Sequence, residues 1–347
     1  MKYLIIDGNN LAVRAAFANE NLRNSDGIPT GVHFGVFQSL INLKKSYSEH
    51  QFLICWDGKS KRRMIESESA VKNGLIKSAY KENRKKKDQP QPLLDFYQQA
   101  SYLQKGIAQT GIPQIRLEDF ETDDVIASYC KKLSPNEVVA VTSDEDYFQI
   151  LSDNVSVFDG MKQKLHTKQS LMGEYKIEPH QHIDVGALMG DSGDNIFGIT
   201  GWGDKTALEA IVEHGSYSNL YTYLHNTYDG LRVKFPDLKG DDLNKLTSIV
   251  TKSGKQKYPE VTINNPFTGV ALAVEEKNTG NISKNILMAL MFEDRVKLAY
   301  SLKKMDDDID VPDIVNEVPN KERLLEYFDY YDIQSLKSSV EELIKIV

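Results

Sequence analysis

Cysteine is almost absent from these 347 residues: Cys55 and Cys130 are the only two, far apart and each inside an apolar run. A disulfide framework is thereby excluded, and two buried thiols in a reducing compartment are expected. Long apolar runs are missing as well, none approaching the roughly 18 residues that a membrane-spanning helix needs. The opening residues read as a strand, with no basic-then-apolar leader, so a cytoplasmic protein with no membrane partner is expected. Zinc chemistry lacks its ligands, because His180 and His182 form an isolated H-x-H pair with no further His or Cys cluster. The chain carries no G-x-x-x-x-G-K-[ST] phosphate loop, which speaks against a P-loop kinase, and it has neither an internal repeat nor a low-complexity tract.

Carboxylates, by contrast, are abundant and clustered. Asp7 ends YLIID, Asp57 ends FLICWD, Glu121, Asp123 and Asp124 stand in FETDDVIA, Asp144 and Asp146 in VTSDEDYF, and Asp191 and Asp194 in MGDSGDNI. That many anions aimed at one place would repel one another unless divalent cations neutralise them, and hard Mg²⁺ or Mn²⁺ prefers carboxylate and water oxygens. The pattern points to two-metal phosphodiester hydrolysis. The net charge of −8 is unevenly distributed: residues 59–87 hold eleven Lys or Arg against three Glu, a local excess of eight positive charges, leaving sixteen negative on the rest. A basic run alone is usually a solvated face; beside an acidic metal site it reads as a phosphate-capturing one.

The length suits a large α/β domain plus a smaller appendage, or two domains. Lys2 to Ile6, Gln51 to Trp56 and Glu137 to Thr142 are short apolar, β-branched runs, each followed at once by Asp7, Asp57 or Ser143-Asp144, and helical patterns such as Thr30 to Ser46 lie between them. This alternation predicts a mainly parallel central sheet flanked by helices, whose ligand crevice lies beyond the carboxyl ends of the strands, where those aspartates fall. Thr122 is the expected N-cap of a helix over Val125 to Leu133. Pro90 and Pro92 mark a break before a helix from Leu93 to Gly106.

Further along, Pro179 to Met189 predicts a helix, Gly190 to Asn195 a tight loop, and Gly198, Gly201 and Gly203 a hairpin ahead of a helix from about Asp204 to Glu213. Glycines let backbone N–H groups approach a phosphate, and the following helix N-terminus adds a positive dipole end. Lys205 stands beside this hairpin. A glycine-rich turn between helices is commonly only a turn, but the G-I-T-G-W-G-D-K-T-A string is more specific.

Taken in order, the DGNN opening, G-I-P-T-G at Gly27 to Gly31, ETDD, TSDEDY, MGDSGDNI and the glycine hairpin resemble the structure-specific 5′-nucleases over roughly residues 1 to 215. That family comprises flap endonucleases, phage 5′-nucleases called ribonuclease H, and the 5′-nuclease domain of DNA polymerase I. The resemblance implies a PIN-like α/β fold with a helical arch over the active site, at about residues 59–104, and a helix-hairpin-helix. It implies that Asp7, Asp57, Glu121 and Asp123, helped by Asp124, hold one metal group, and Asp144, Asp146, Asp191 and Asp194 the other. The string Tyr80-Lys81-Glu82-Asn83-Arg84 resembles the family's Y-K-x-x-R element, which makes Lys81 and Arg84 the candidate phosphate-stabilising cations and Tyr80 a base-stacking ring. Nucleic acid is further expected at Lys85, Gly201, Gly203, Lys205 and Thr206, with K⁺ a candidate ion for the hairpin carbonyls.

The implied domains are 1–175 for the nuclease core, 176–300 for the helix-hairpin-helix and a helical region, and 301–347 for an acidic linker and closing helices. The implied enzyme is a monomer of a bacterial or phage-infected cell. It acts on DNA with a 5′ flap, nick or free 5′ end, and on RNA/DNA hybrids as a second candidate, alongside replication proteins. A PIN-type single-strand ribonuclease, a non-catalytic DNA-structure-binding protein and a small-molecule phosphatase are the competing readings. For residues 216–300, including Tyr217, Tyr221, Tyr223 and Tyr228, packing is the default role. Asp306, Asp307, Asp308 and Asp310 read as part of a linker and not as another metal site.

Overall fold

A computed structural model describes residues 1–85, 89–234, 289–290 and 292–345. The chain divides into two compact units: residues 1–61, 86–174 and 305–347 form the first, and residues 62–85 and 175–304 the second. The expected arch region at 59–104 is thus shared between the two.

The first unit is built on a six-stranded sheet of order β3-β2-β1-β4-β5-β6. Its strands are β1 Lys2–Asp7, β2 Gln51–Trp56, β3 Gln114–Arg116, β4 Glu137–Val141, β5 Val155–Asp159 and β6 Lys164–His166. All neighbours pair in parallel except β6, which runs antiparallel to β5. Parallel strands covered on both faces need apolar residues at successive positions, and Leu4, Ile5 and Ile6 are all fully buried, as are Phe52, Leu53 and Ile54. One face, carrying Leu4, Ile6, Ile54 and Val139, packs in a core with α1 Gly8–Ala18, α2 Gly31–Ser46 and α4 Gln91–Ala108. The closing helices α11 Lys321–Tyr330 and α12 Val340–Leu343 add Leu324, Phe328, Val340 and Leu343 to the same core. Helix α5, Thr122–Lys132, packs against β1 and β2. Both thiols are buried and unpaired. β1 lies between β2 and β4, so the reversal of strand order falls at the carboxyl ends of β1 and β4, the place where open α/β sheets bind ligands.

Two expectations about element ends are corrected. The N-cap of α5 is Glu121, not Thr122: the Glu121 and Asp124 side chains form a reciprocal capping box, which satisfies two orphan amides where a threonine would satisfy one. The proline break is milder than expected, because α4 starts at Gln91 and takes Pro92 into its first turn, where a missing N–H costs nothing.

The acidic segment after residue 304 has no regular structure up to α11, but it is fixed along the first unit. The Asp306 N–H donates to the Asp124 carboxylate at 2.8 Å, Lys131 pairs with Asp307 and Asp308, Lys132 pairs with Asp313, and the Glu317 N–H reaches the Gly111 carbonyl at 3.0 Å.

In the second unit, a 3₁₀ turn Pro179–Gln181 leads into α7 His182–Met189, so the helix expected from Pro179 begins with a tighter turn. The loop expected over Gly190 to Asn195 is a small antiparallel hairpin of β7 Gly190–Asp191 and β8 Ile196–Phe197. Helices α8 Asp204–His214, α9 Tyr217–Lys234 and α10 Glu293–Lys303 close a second core around Leu188, Ile211, Leu224, Phe292 and Val296. Tyr221 packs there, as the default reading had it, and its hydroxyl donates to the Ala289 carbonyl at 2.9 Å. The side chain of Tyr228 lies outside the described residues.

Candidate active site

Asp7 is placed by three constraints. It closes β1, it caps α1 by accepting the Asn10 N–H at 2.9 Å, and its other oxygen accepts the Thr142 and Tyr147 hydroxyls, each at 3.3 Å. Gly8 must follow it, since a Cβ there would stand 2.8 Å from the Cys55 carbonyl oxygen and from the Trp56 ring. Asp57 follows β2, accepts the Thr122 N–H at 3.0 Å and donates its own N–H to Asn9 at 3.1 Å. Gly58 is equally confined, a Cβ at that position meeting the Leu117 carbonyl oxygen at 2.0 Å. Asp144 follows β4, caps the 3₁₀ turn Glu145–Ile150 and accepts the Asp146 N–H at 2.8 Å. Asp123 lies in the first turn of α5, where it accepts the Asp124 N–H at 2.9 Å.

Electrostatics ties four of these together. The Asp7 carboxyl is pushed up to about 8, first by burial and then by repulsion from Asp57, Asp144 and Asp123, while the Asn10 amide acts in the opposite direction. The Tyr147 phenol is driven far above its ordinary value by burial and by the same carboxylates, so it remains a donor. Asp57, Asp144 and Asp123 are thus the carboxylates whose charge acts on Asp7. Among the described residues, no three His, Cys, Asp or Glu side chains already stand in ligating geometry.

The remaining carboxylates differ. Glu121 and Asp124 cap α5; Asp124 is buried, with one oxygen accepting from Glu121 and the other from Asp306, which makes it a positioning group for the first helical turn that carries Asp123. Asp146 is half-buried beside the exposed Asp144, and it is Tyr147, the next residue, that reaches Asp7.

Asp191 and Asp194 belong to the second unit. One Asp191 oxygen accepts the Gly193 N–H at 2.8 Å; the other lies 3.5 Å from the Lys303 ammonium. Asp194 gathers the expected phosphate-binding string around itself. It accepts the Tyr80 hydroxyl at 3.1 Å, its carbonyl accepts the Lys81 N–H at 2.9 Å, the Lys81 ammonium stands at 3.7 Å, and Arg84 pairs directly with it. Asn83 fastens the same string to the Ser192 and Gly193 carbonyls.

The basic run is also not uniformly presented. Arg62 donates to the Ser301 and Lys304 carbonyls at the end of α10, and Arg63 is buried, so both hold the fold. At the hairpin, Gly201, Gly203, Lys205 and Thr206 are all exposed, and among the described residues Lys205 has a loose pairing with Glu209 at 3.9 Å. Gly201 alone of the two glycines needs its lack of a side chain, at φ +87°.

Residues 2–177 match the family model described as 5′-3′ exonuclease, N-terminal resolvase-like domain. The chain belongs to the 5′-3′ exonuclease family. Residues 177–252 match the companion description, 5′-3′ exonuclease, C-terminal SAM fold. A 5′-3′ exonuclease of Aquifex aeolicus is 30% identical over 71% of this chain and 81% of its own length. One from Bacillus subtilis is 33% identical over 63% of this chain and 72% of that protein. DNA polymerase I of Thermus thermophilus is 30% identical over 69% of the chain, which spans only 28% of the polymerase. Among solved structures, bacteriophage T5 flap endonuclease in a pseudo-enzyme–product complex with DNA and metal ions has a TM-score of 0.51 at 20% identity, covering 86% of this chain and 99% of its own. Flap endonuclease-1 from Methanococcus jannaschii has a TM-score of 0.54 at 16% identity over 99% of this chain and 91% of its own. The PIN-like fold and the 5′-nuclease class expected of this enzyme are thus borne out.

Sequence reasoning missed Thr142, Tyr147, Asn9 and Asn10, which hold Asp7 and the Asp57 backbone. A signal existed, since all four are polar residues within three positions of a strand-end aspartate or of Asp144. Lys303, the partner of Asp191, gave none, because it lies more than a hundred residues away in sequence. No described helix is long and apolar enough to cross a membrane.

Proposed function

We propose that this 5′-3′ exonuclease hydrolyses phosphodiester bonds of DNA with a 5′ flap, a nick or a free 5′ end, using Mg²⁺ held at the carboxylates around Asp7. The observation that carries this reading is that Asp57 and Asp144 beyond the strand ends and Asp123 in the first turn of α5 all act on Asp7, whose burial and their repulsion together raise its carboxyl to about 8. Oxygen donors that repel one another, with no described cation paired to Asp7 or Asp57, fit a hard divalent ion. When bound, such an ion supplies charge neutralisation and Lewis acidity at the phosphate. Asp7 gives up its proton when it takes on that role. Thr142 and Tyr147 keep its second oxygen in a fixed direction, and the hydrogen bonds of Asp124 with Glu121 and Asp306 fix the first turn of α5 that carries Asp123.

Lys81 and Arg84 exchange Asp194 for the scissile phosphate, where they stabilise charge developing on its oxygens. Gly201, Gly203, Lys205 and Thr206, with K⁺ at the hairpin carbonyls, hold duplex phosphates by backbone contact without reading bases. RNA in RNA/DNA hybrids is a second substrate in the same reading. So is a monomeric, cytoplasmic enzyme serving replication and repair beside other replication proteins. The test is a panel of flapped, nicked, gapped, blunt and hybrid substrates labelled at the 5′ end, each in Mg²⁺, Mn²⁺ and EDTA. Short 5′-terminal products that need both duplex and Mg²⁺ support the reading; undiminished cleavage in EDTA, or cutting of single strands alone, overturns it.

A further inference from the structure

On the first unit a cavity of about 120 Å³ opens between α1, α2 and the ends of β4 and β5. Leu11, Leu43, Val141 and Phe158 form an apolar wall, and Arg14, Asn42, Ser46, Tyr47 and Gln163 supply the polar atoms. Arg14 is the unusual member. Its Nε is buried, and among the described residues no group accepts a hydrogen bond from it. Burial lowers the guanidinium's affinity for its proton, an energetic cost that a partner anion would offset. The carboxylate that acts on Arg14, Asp159, has one oxygen committed elsewhere. It accepts the Met161 and Lys162 N–H groups at 2.8 and 3.2 Å and lies 3.9 Å from the Lys162 ammonium, closing the turn that bounds the cavity. At Gly160 a Cβ would meet only the Arg14 guanidinium, at 3.9 Å, so the turn leaves open space on this side of the cavity. Gln38 donates to the Asn42 carbonyl oxygen at 3.3 Å, which leaves the Asn42 amide NH₂ as a donor at the cavity mouth.

We propose that the Arg14 cavity binds a phosphate group, as inorganic phosphate or as a phosphate monoester. A guanidinium matches phosphate in a bidentate fork, and the open cavity of about 120 Å³ has room for that group. Asn10 and Thr142 line the same cavity and also bond to Asp7, so its wall is shared with the carboxylate cluster. The shared wall makes a 5′-mononucleotide, the smallest product of the proposed reaction, the monoester of interest. That choice of source rests on the proposed function; the phosphate site itself does not.

Titration calorimetry of the full chain in EDTA, which removes metal-borne phosphate binding, is the test. Its arms are inorganic phosphate, a 5′-deoxymononucleotide and the matching nucleoside, each up to about 10 mM, enough to populate a millimolar site. Both phosphates are expected to bind and the nucleoside not, with Arg14→Gln weakening them by about tenfold or more and Arg14→Lys less. Gly160→Leu, which fills the cavity and leaves Arg14 in place, is expected to abolish binding and covers the case in which Arg14→Gln fails to fold. Tighter binding of the mononucleotide than of phosphate assigns the site to product, and equal binding assigns it to the free ion. Absence of binding to the wild type, binding of the nucleoside as tightly as of the mononucleotide, or phosphate affinity unchanged in both folded variants overturns the proposal.

Discussion

The two groups of carboxylates were indistinguishable as sequence motifs, yet the structure treats them in opposite ways. In the first unit the charge of Asp7 is suppressed by burial and then by repulsion from Asp57, Asp144 and Asp123. In the second, Asp194 carries Lys81 and Arg84, and Asp191 faces Lys303. Asp7 and Asp57 have no described cation paired to them, a deficit that a divalent ion can fill, whereas Asp194 and Asp191 already face side-chain cations. An acidic cluster therefore indicates a metal site only together with what else approaches it, and the cations expected to serve the phosphate rest, in this state, on an aspartate.

The largest test of the contrast is Asp7→Asn. Removing the central carboxylate should reduce the cleavage rate by well over about a hundredfold, beyond the 10–100-fold typical of an outer-shell partner. The same substitution should stabilise the metal-free protein. A carboxyl whose folded pKa is raised contributes stability that is complete below its unfolded value, near 4, and is lost as pH rises through about 8. Melting in EDTA should therefore fall for the wild type between those pH values and fall less for Asp7→Asn. A parallel decline in the two proteins would mean that the Asp7 carboxyl is not raised in the folded protein.

Tyr147→Phe comes next. Losing one hydroxyl to Asp7 while keeping the ring should lower cleavage by roughly 10–100-fold with fold stability nearly unchanged. Measured Mg²⁺ dependence would locate the effect, as a loss of activity restored at high Mg²⁺ is expected.

In the second unit, Lys81→Ala separates pairing from catalysis. The Lys81–Asp194 pair is partly exposed, so deleting it should cost less than about 1 kcal/mol of stability. If Lys81 also serves the phosphate, single-turnover cleavage should fall by around a hundredfold with little change in substrate affinity. Equal losses in rate and affinity would reduce Lys81 to an anchor.

Much of this architecture was legible because β1, β2 and β4 are continuous apolar runs, the signature of strands buried on both faces, each ending in a polar turn. Strand β3 escaped notice because Gln114–Arg116 has only three residues and none fully buried. The reciprocal capping by Glu121 and Asp124 could have been inferred from their spacing, but the competing metal reading masked it. Arg62 and Arg63 show a harder limit: within a basic run nothing distinguishes a residue that caps α10 from one that faces solvent. The ion pairs of Asp191 and Asp194 were illegible for the same reason, their partners being set by tertiary packing.

The smallest expected effect is at the hairpin. Lys205 is 88% exposed, so Lys205→Ala should leave stability untouched and reduce the slope of log K against log salt for duplex binding by about 0.9, the signature of one lost phosphate contact. An unchanged slope would remove Lys205 from the duplex grip.

The central claim, that the Asp7 cluster is an anionic site held partly protonated until a divalent ion arrives, is tested most directly by Mg²⁺ titration calorimetry at about pH 7 in buffers of different ionisation enthalpy. The wild type should release close to one proton per binding event, and Asp7→Asn should release almost none and bind more weakly. Equal proton release and equal affinity in the two proteins would contradict the account.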